Sequence, residues 1–437
     1  MLTKKLIVSV LLSGILGGMF LPSAFAETAK LTLENSITLA FENNEQIKAA
    51  ESKTKATIWD WKKAKGEEGL NIGFSHTSAK IGGAYWKVYN VEDDPSDYFI
   101  NEFSASLPLY TGGKLENIVK QANIGINLSD LQLEAIKQDI KYQTIKAYYD
   151  ILDCKNIQKV REDAISELEE HLQNVQDQFY VGSVARVDVL RSEVALANAK
   201  QNLVTAQNNL RIAQSIFNKV VGLDIMEKTQ TADELGYEPK HYDLAQCVEY
   251  ALQHQPEVFI AEKSVSLAAT GQKIAAASYK PEIAATATYA TYDTKINEFN
   301  TKEWLVGINV KFNIFDNQVT HDQIKAADAN IEAAEHQKND TISTVELAVQ
   351  QAYLNMTRAE SNIETNRVAV EKAKEDFKLA GLRYKVDLAN NVEVMDAQVA
   401  LTTAKTAYEQ SLYDYNLSKA ELEKAMGVKD ERLSLDK

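Results

Sequence analysis

The chain has 437 residues, a quarter of them charged, and 62 acidic side chains against 47 basic ones give it a net charge of −15. That balance argues against a nucleic-acid partner, because phosphate contacts need clustered Lys and Arg. Two cysteines and six scattered histidines carry neither a disulfide framework nor a metal-ligand spacing, so no metal or cofactor is expected.

The N-terminus reads as an export leader over residues 1–26. Lys4 and Lys5 precede an apolar run from Leu6 to Phe20, and Ala24-Phe25-Ala26 has the small-x-small pattern of a cleavage site. No Cys follows, which argues against a lipid anchor. Nothing downstream approaches the roughly 20 apolar residues of a membrane-spanning helix. Cys154 and Cys247 are read as two separate thiols. No nucleophile, P-loop or dinucleotide motif is present, and the chain is not expected to be an enzyme.

The sequence is written twice. At an offset of 205, Lys120 falls on Lys325, Ala147-Tyr148 on Ala352-Tyr353, Val194-Ala195-Leu196 on Val399-Ala400-Leu401, and Gly222 on Gly427. Upstream the offset is 211: Leu33 falls on Leu244, Ala40 on Ala251 and Ile72 on Ile283. The expected organisation is a first repeat over 27–222, a connector over 223–242, a second repeat over 243–427 and a tail over 428–437. Each repeat reads as helix, strand pair, very long helix, break and helix. The strand pairs fall at about 70–110 and 281–315, and the helical hairpins at about 113–221 and 317–426. From Gly113 to Phe179 apolar residues recur three and four apart, as Leu128, Leu131, Ala135 and Ile136 do. A helix of that length would be roughly 100 Å long, which suits a packed coiled coil. The breaks fall at Tyr180–Ser183, where Gly182 can take a positive φ, and at Tyr384–Asp387, where Asp387 is the next best left-handed residue.

The strands alternate with a period of two. Trp304, Val306, Ile308 and Val310 alternate with Glu303, Leu305, Gly307 and Asn309, and Phe103, Ala105 and Leu107 with Ser104, Ser106 and Pro108. An apolar face and a small or polar face suit a membrane barrel; soluble hairpins packed on the helices fit the same alternation. Four strands are too few to close, since bacterial barrels begin at eight, and three chains would supply twelve. Aromatic residues gather near the strand ends and loops: Tyr85, Trp86, Tyr89, Tyr98, Phe99, Tyr289, Tyr292 and Trp304.

Leu107-Pro-Leu-Tyr-Thr-Gly-Gly113, the first tip Phe179 to Leu190 and the second tip Tyr384 to Ala397 resemble the TolC-like outer-membrane efflux protein family. The resemblance covers essentially the whole chain after the leader. It implies a mainly α protein with membrane β, a homotrimer whose long α-helical hairpins form a periplasmic α-barrel continuous with a 12-stranded outer-membrane β-barrel. It implies a periplasmic adaptor and an inner-membrane transporter as partners, docking at tips that here are Val181, Gly182 and Ser183, and Lys385, Val386 and Asp387. By position, Glu393 and Asp396 match two acidic rings at the pore constriction, three residues and about 4.5 Å apart along one helix face. Asp188 and Tyr384 match a hydrogen-bonded latch that holds the tip closed. The arginine that reinforces the latch in the best-known member falls at Ala389 here, and a hydroxyl residue falls at Val187. The implied function is that of an exit duct for small toxic molecules. A type I protein secretion or metal-efflux duct is the alternative within the class, and a periplasmic coiled-coil structural protein is the alternative outside it.

Overall fold

The computed structural model describes residues 30–81, 96–293, 295–296 and 300–428. The expected leader, Tyr85, Trp86 and Tyr89, and the tail beyond Val428 lie outside the described residues. Two runs of the same elements follow one another: α1 (Leu33–Asn43), α2 (Glu45–Gly66), β1 (Asn71–Ile81), β2 (Ser96–Tyr110), α3 (Lys114–Tyr180) and α4 (Arg186–Val221), then α5 (Leu244–His254), α6 (Pro256–Ala277), β3 (Glu282–Asp293), β4 (Thr301–Lys311), α7 (Val319–Lys385) and α8 (Asn391–Ala425). Both long helices, α3 and α7, have 67 residues. Gly125 does not interrupt α3.

The helix ends show why the two runs agree. Gly182, Gly222, Asp387 and Gly427 all have positive φ. The next residue in each case sends its N–H back to the carbonyl five residues earlier: Ser183 to Gln178, Leu223 to Asn218, Leu388 to Arg383 and Val428 to Glu423. This six-to-one bond satisfies the last carbonyls of a helix and reverses the chain. At the other end, Thr111 Oγ1 accepts the Leu115 N–H, and Asp316 Oδ2 accepts that of Thr320. Thr111 and Asp316 are equivalent in the repeat, and each caps a long helix directly below the sheet.

The four strands form one antiparallel meander, β1-β2-β3-β4, with a register irregularity where Pro108 removes a backbone donor. The register sorts the side chains. Phe74, Phe103, Tyr289 and Trp304 stand in one row across all four strands, and Ile72, Ala105, Ala287 and Val306 in the next. The opposite face carries Asn71, Ser106, Thr286 and Gly307, and Ser75, Glu102, Ala290 and Glu303. Among the described residues, no helix packs along either face of the sheet. Ile72, Phe74, Trp304, Val306 and Ile308 stay exposed within the protomer. No helix of the described residues is long and apolar enough to cross a membrane.

Above the waist, α3 lies between α2 and α6, and α6 lies between α3 and α7. Below it, α3 lies between α4 and α8, and α8 packs on α7. The main core sits at the waist, where α1, α5 and the segment after α4 wrap the long helices: Tyr148, Ile151, Phe217, Val349, Leu412 and Tyr415 are buried together. Tyr148 donates to Asp233 Oδ2 at 2.7 Å, and Tyr415 to the Glu238 carbonyl at 2.9 Å. Two buried phenols thus hold the inter-repeat segment to α3 and α8. Cys154 and Cys247 are free thiols.

Gly222 is a position with little room. Its φ is 77°, and a Cβ there would stand 2.6 Å from Asn43 Cβ. Gly182 has φ 80° and open space around it. Gly182→Ala should therefore carry only the left-handed strain of about 1–2 kcal/mol, whereas Gly222→Ala adds an overpacking cost of about 1–3 kcal/mol. Thermal unfolding followed by circular dichroism should place Gly222→Ala clearly below Gly182→Ala.

Candidate functional site

The far end of α3/α4 and α7/α8 is built differently from the waist. Its apolar cluster is small: Val175, Ala380, Tyr384, Val394 and Ala397. Polar groups complete it. Asn391 Oδ1 accepts from His171 Nε2 at 2.6 Å, while Asn391 Nδ2 donates to the Asp188 carbonyl at 3.0 Å and to Ser192 Oγ at 3.2 Å. Ser192 Oγ in turn donates to the Asp188 carbonyl at 3.0 Å. His171, Ser192 and Asn391 are 8%, 1% and 2% exposed. One buried knot thus joins α3, α4 and α8. Because the Asn391 amide spends both hydrogens on oxygen acceptors, its carbonyl must receive a proton, which fixes His171 as the Nε2–H tautomer.

Asp188 and Tyr384, the expected latch, are neighbours. Burial, and then the charges of Asp188 and Asp387, push the Tyr384 phenol above its ordinary value. No hydrogen bond joins them, however: the buried Tyr384 hydroxyl has no partner within the protomer. The Asp188 backbone takes part in the tie instead of its carboxylate. His171 meets the Tyr384 ring edge-on, with centroids 5.3 Å apart.

Glu393 and Asp396, the expected ring acids, both lie exposed in the first turns of α8. Glu393 already has partners. Its Oε1 accepts from the Asn390 backbone N–H at 3.4 Å while Asn390 Oδ1 accepts the Glu393 N–H at 3.0 Å, a reciprocal capping box, and Asn390 Nδ2 adds a bond to Oε1 at 3.1 Å. Its Oε2 lies 3.5 Å from Arg383 Nη1, and Arg383 also donates to the Leu388 carbonyl across the turn. Asp396 lines a groove of about 280 Å³ between α3, α4 and α8. Of the two carboxylates, Asp396 is the less compensated. The turns themselves, Val181–Ser183 and Lys385–Asp387, are exposed at the end of the molecule.

The comparisons with known proteins agree with this architecture. The family model for outer membrane efflux proteins matches residues 36–223 and 247–428, one block for each repeat, and the chain belongs to that family. Members are exit ducts of efflux systems rather than enzymes, set in the outer membrane with the helical barrel in the periplasm. Outer membrane efflux protein BepC of Brucella suis is 23% identical over 91% of this chain and 85% of its own. Outer membrane protein TolC of Escherichia coli is 22% identical over 84% and 78%. Among solved structures, VceC of Vibrio cholerae superposes with a TM-score of 0.77 at 16% identity over 90% of this chain and 96% of its own. The open state of MtrE from Neisseria gonorrhoeae gives 0.75 at 17% identity over 90% and 88%.

Burial holds the His171 imidazole below its ordinary value, against the opposing effect of its bond to Asn391. The nearby carboxylates are largely occupied. In the groove of about 650 Å³ between α3 and α7, Glu167 lies 3.3 Å from Lys405, Glu170 4.0 Å from Lys385 and Glu375 3.9 Å from Lys378. Lys374 and Glu371 from α7 complete its charged lining, and Asp188 of α4 acts on the neighbouring Tyr384. The knotted tip therefore binds a proton less readily than a hydrated imidazole does. Its stabilisation is complete above about pH 6.5 and is lost as the pH falls below that value. Single-channel recordings from about pH 7.5 down to about pH 5 should show rising open time. His171→Gln, which keeps an N–H donor and cannot titrate, should flatten the response.

Proposed function

We propose that three copies of this chain close into a tube that serves as the outer-membrane exit duct of a tripartite efflux pump. An inner-membrane transporter supplies the energy, a periplasmic adaptor docks on the turns Val181–Ser183 and Lys385–Asp387, and the duct itself carries out no chemistry. The observation that carries this reading is the pair of unpaired flanks. β1 and β4 are the two edges of the sheet, and unpaired peptide groups facing hydrocarbon cost several kcal/mol each. Below, α4 exposes Val187, Leu190, Val194, Val204, Ile212 and Ile216, and α7 exposes Leu347, Leu354, Leu379 and Leu382. Because the chain is a repeat, the contacts inside the protomer supply the template for contacts between protomers. The β2–β3, α3–α6 and α3–α8 pairings map onto β4–β1, α7–α2 and α7–α4 of the next copy. Three copies then give twelve strands, with the row of Phe74, Phe103, Tyr289 and Trp304 facing lipid and the Ser, Thr and Glu rows lining the channel.

At the periplasmic end, Glu393 and Asp396 ring the constriction and Asp188 and Tyr384 stand at the latch. The cargo class is small toxic molecules. A metal-efflux duct is the second reading, supported by 20% identity over 73% of this chain to the cobalt-zinc-cadmium resistance protein CzcC of Cupriavidus metallidurans.

Detergent-extracted protein should have the native mass of a trimer and conduct only in that form. Val306→Asp with Ile308→Asp places two charges on the lipid face, where a lipid-facing charge is destabilising, more so toward the bilayer midplane. That variant should fail to insert while keeping its helix content, and a conducting monomer would overturn the shared barrel.

The gate makes a second, separate prediction. Planar-bilayer current should be cation-selective and blocked from the periplasmic side by divalent cations. Asp396→Ala should remove most of the block without altering the melting temperature. Glu393→Ala should weaken the block less and also cost about 0.3–1.5 kcal/mol, because it removes half of the α8 capping box. Unchanged block in the double variant would place the gate elsewhere.

A further inference from the structure

The knot at the tip occupies only one of two equivalent places. At the offset of 205, His171 on α3 corresponds to Asp376 on α7, and Asn391 on α8 corresponds to Arg186 on α4. The helices themselves keep this register: α3 and α7 begin at 114 and 319, and α4 and α8 at 186 and 391. Asp376 and Arg186 are both exposed, and neither makes an ion pair or side-chain hydrogen bond within the protomer. They lie on α7 and α4, the two flanks left without a neighbour.

We infer that Asp376 of one protomer and Arg186 of the next form an ion pair between copies, the counterpart of the His171–Asn391 tie within each copy, so that six ties of two kinds alternate round the tip. This rests on the ring proposed above. Three features support it. The α3–α8 contact that the knot closes is the contact that the repeat maps onto α7 and the next α4. The reach is conserved, because a long His meeting a short Asn is replaced by a short Asp meeting a long Arg. The third partner changes accordingly: Ser192, which receives an Asn391 hydrogen, corresponds to Ala397, and a guanidinium facing a carboxylate has no need of that hydroxyl.

The test uses the full-length protein in detergent, with Cys154→Ala and Cys247→Ala as background. A pair joined through two side chains is too widely spaced at Cβ for a direct disulfide, so a short bis-maleimide is the probe. Arg186→Cys with Asp376→Cys should give a covalent trimer as the main species on a denaturing gel, and either change alone only monomer. A reference pair sits further along the same flanks. Asp150 and Tyr413, hydrogen-bonded at 2.6 Å between α3 and α8, correspond to Asn355 on α7 and Asn208 on α4. Linkage of Asn208→Cys with Asn355→Cys, without linkage of the tip pair, overturns the inference and leaves the ring standing. No linkage of either pair in a protein of monomer mass overturns the ring and the inference together, and no linkage in a protein of trimer mass overturns the assignment of flanks. In the cysteine-free background, Arg186→Asp or Asp376→Arg alone should change the tip's open lifetime several-fold, and the two together should restore it. A double reversal no better than the worse single one would show that the two charges do not meet.

Discussion

A four-stranded sheet placed in hydrocarbon has two rows of peptide groups with nothing to bond to, and everything else in this molecule is consistent with that constraint. β1 and β4 have 11 residues each, so each outer edge leaves about half that many N–H and C=O pairs unpartnered, and lipid offers them nothing. In the proposed trimer, closure on further copies is the remedy, and it would fix the helices as well. Thr111 and Asp316 cap the long helices within a few residues of the strands, so the rotation that seats one strand edge on the next is passed to α3 and α7 with little slack.

Helices of 67 residues are not held by their own propensity, since most helical stability in proteins comes from packing. Here it is concentrated at the waist, where large side chains such as Tyr148, Phe217, Ile140 and Tyr415 are wholly buried. The tip has five buried apolar residues, three of them Ala or Tyr, and relies on single hydrogen bonds. Elements that move are drawn from the less stable part of a fold, and the distribution of core puts that part at the end where the gate is proposed.

Much of the architecture was legible in the sequence because duplication turns every weak signal into two. The offset of 205, the breaks at Gly182 and Asp387 and the alternation through Trp304 to Val310 each reappear as structure. The row joining Phe74, Phe103, Tyr289 and Trp304 was not legible, since its members become neighbours only through a register between strands. The knot was hidden more deeply. His171 and Asn391 are 220 residues apart, and a lone polar residue on a long helix looks like any solvated one. The Arg383–Glu393 pair escaped for a related reason: across a tight turn, ten residues of sequence collapse to 3.5 Å. One signal for the knot was available in the offset, which sets His171 against Asp376 and Asn391 against Arg186. Divergence at matched positions of a repeat marks places whose two environments differ.

The energetics of the tip follow from which charges are already satisfied. In the proposed ring, three Asp396 carboxylates brought to about 6 Å would repel by about 1–3 kcal/mol per pair between the dielectric of water and that of a protein surface. Glu393 adds less, because Arg383 and the α8 N-terminus offset its charge. Against this stand the buried amide–imidazole bonds, each worth about 0.5–1.5 kcal/mol net, together with the small apolar cluster. The opposing totals are of similar size, so the closed and open arrangements of such a tip differ by a few kcal/mol at most. A partner that touches only the exposed turns needs no more differential affinity than that to shift the balance. In the proposed duct, the strong waist and the two helix ends locked there, at Gly222 and Gly427, would confine the change to the tip, where α4 and α8 would move on α3 and α7 without disturbing the barrel above.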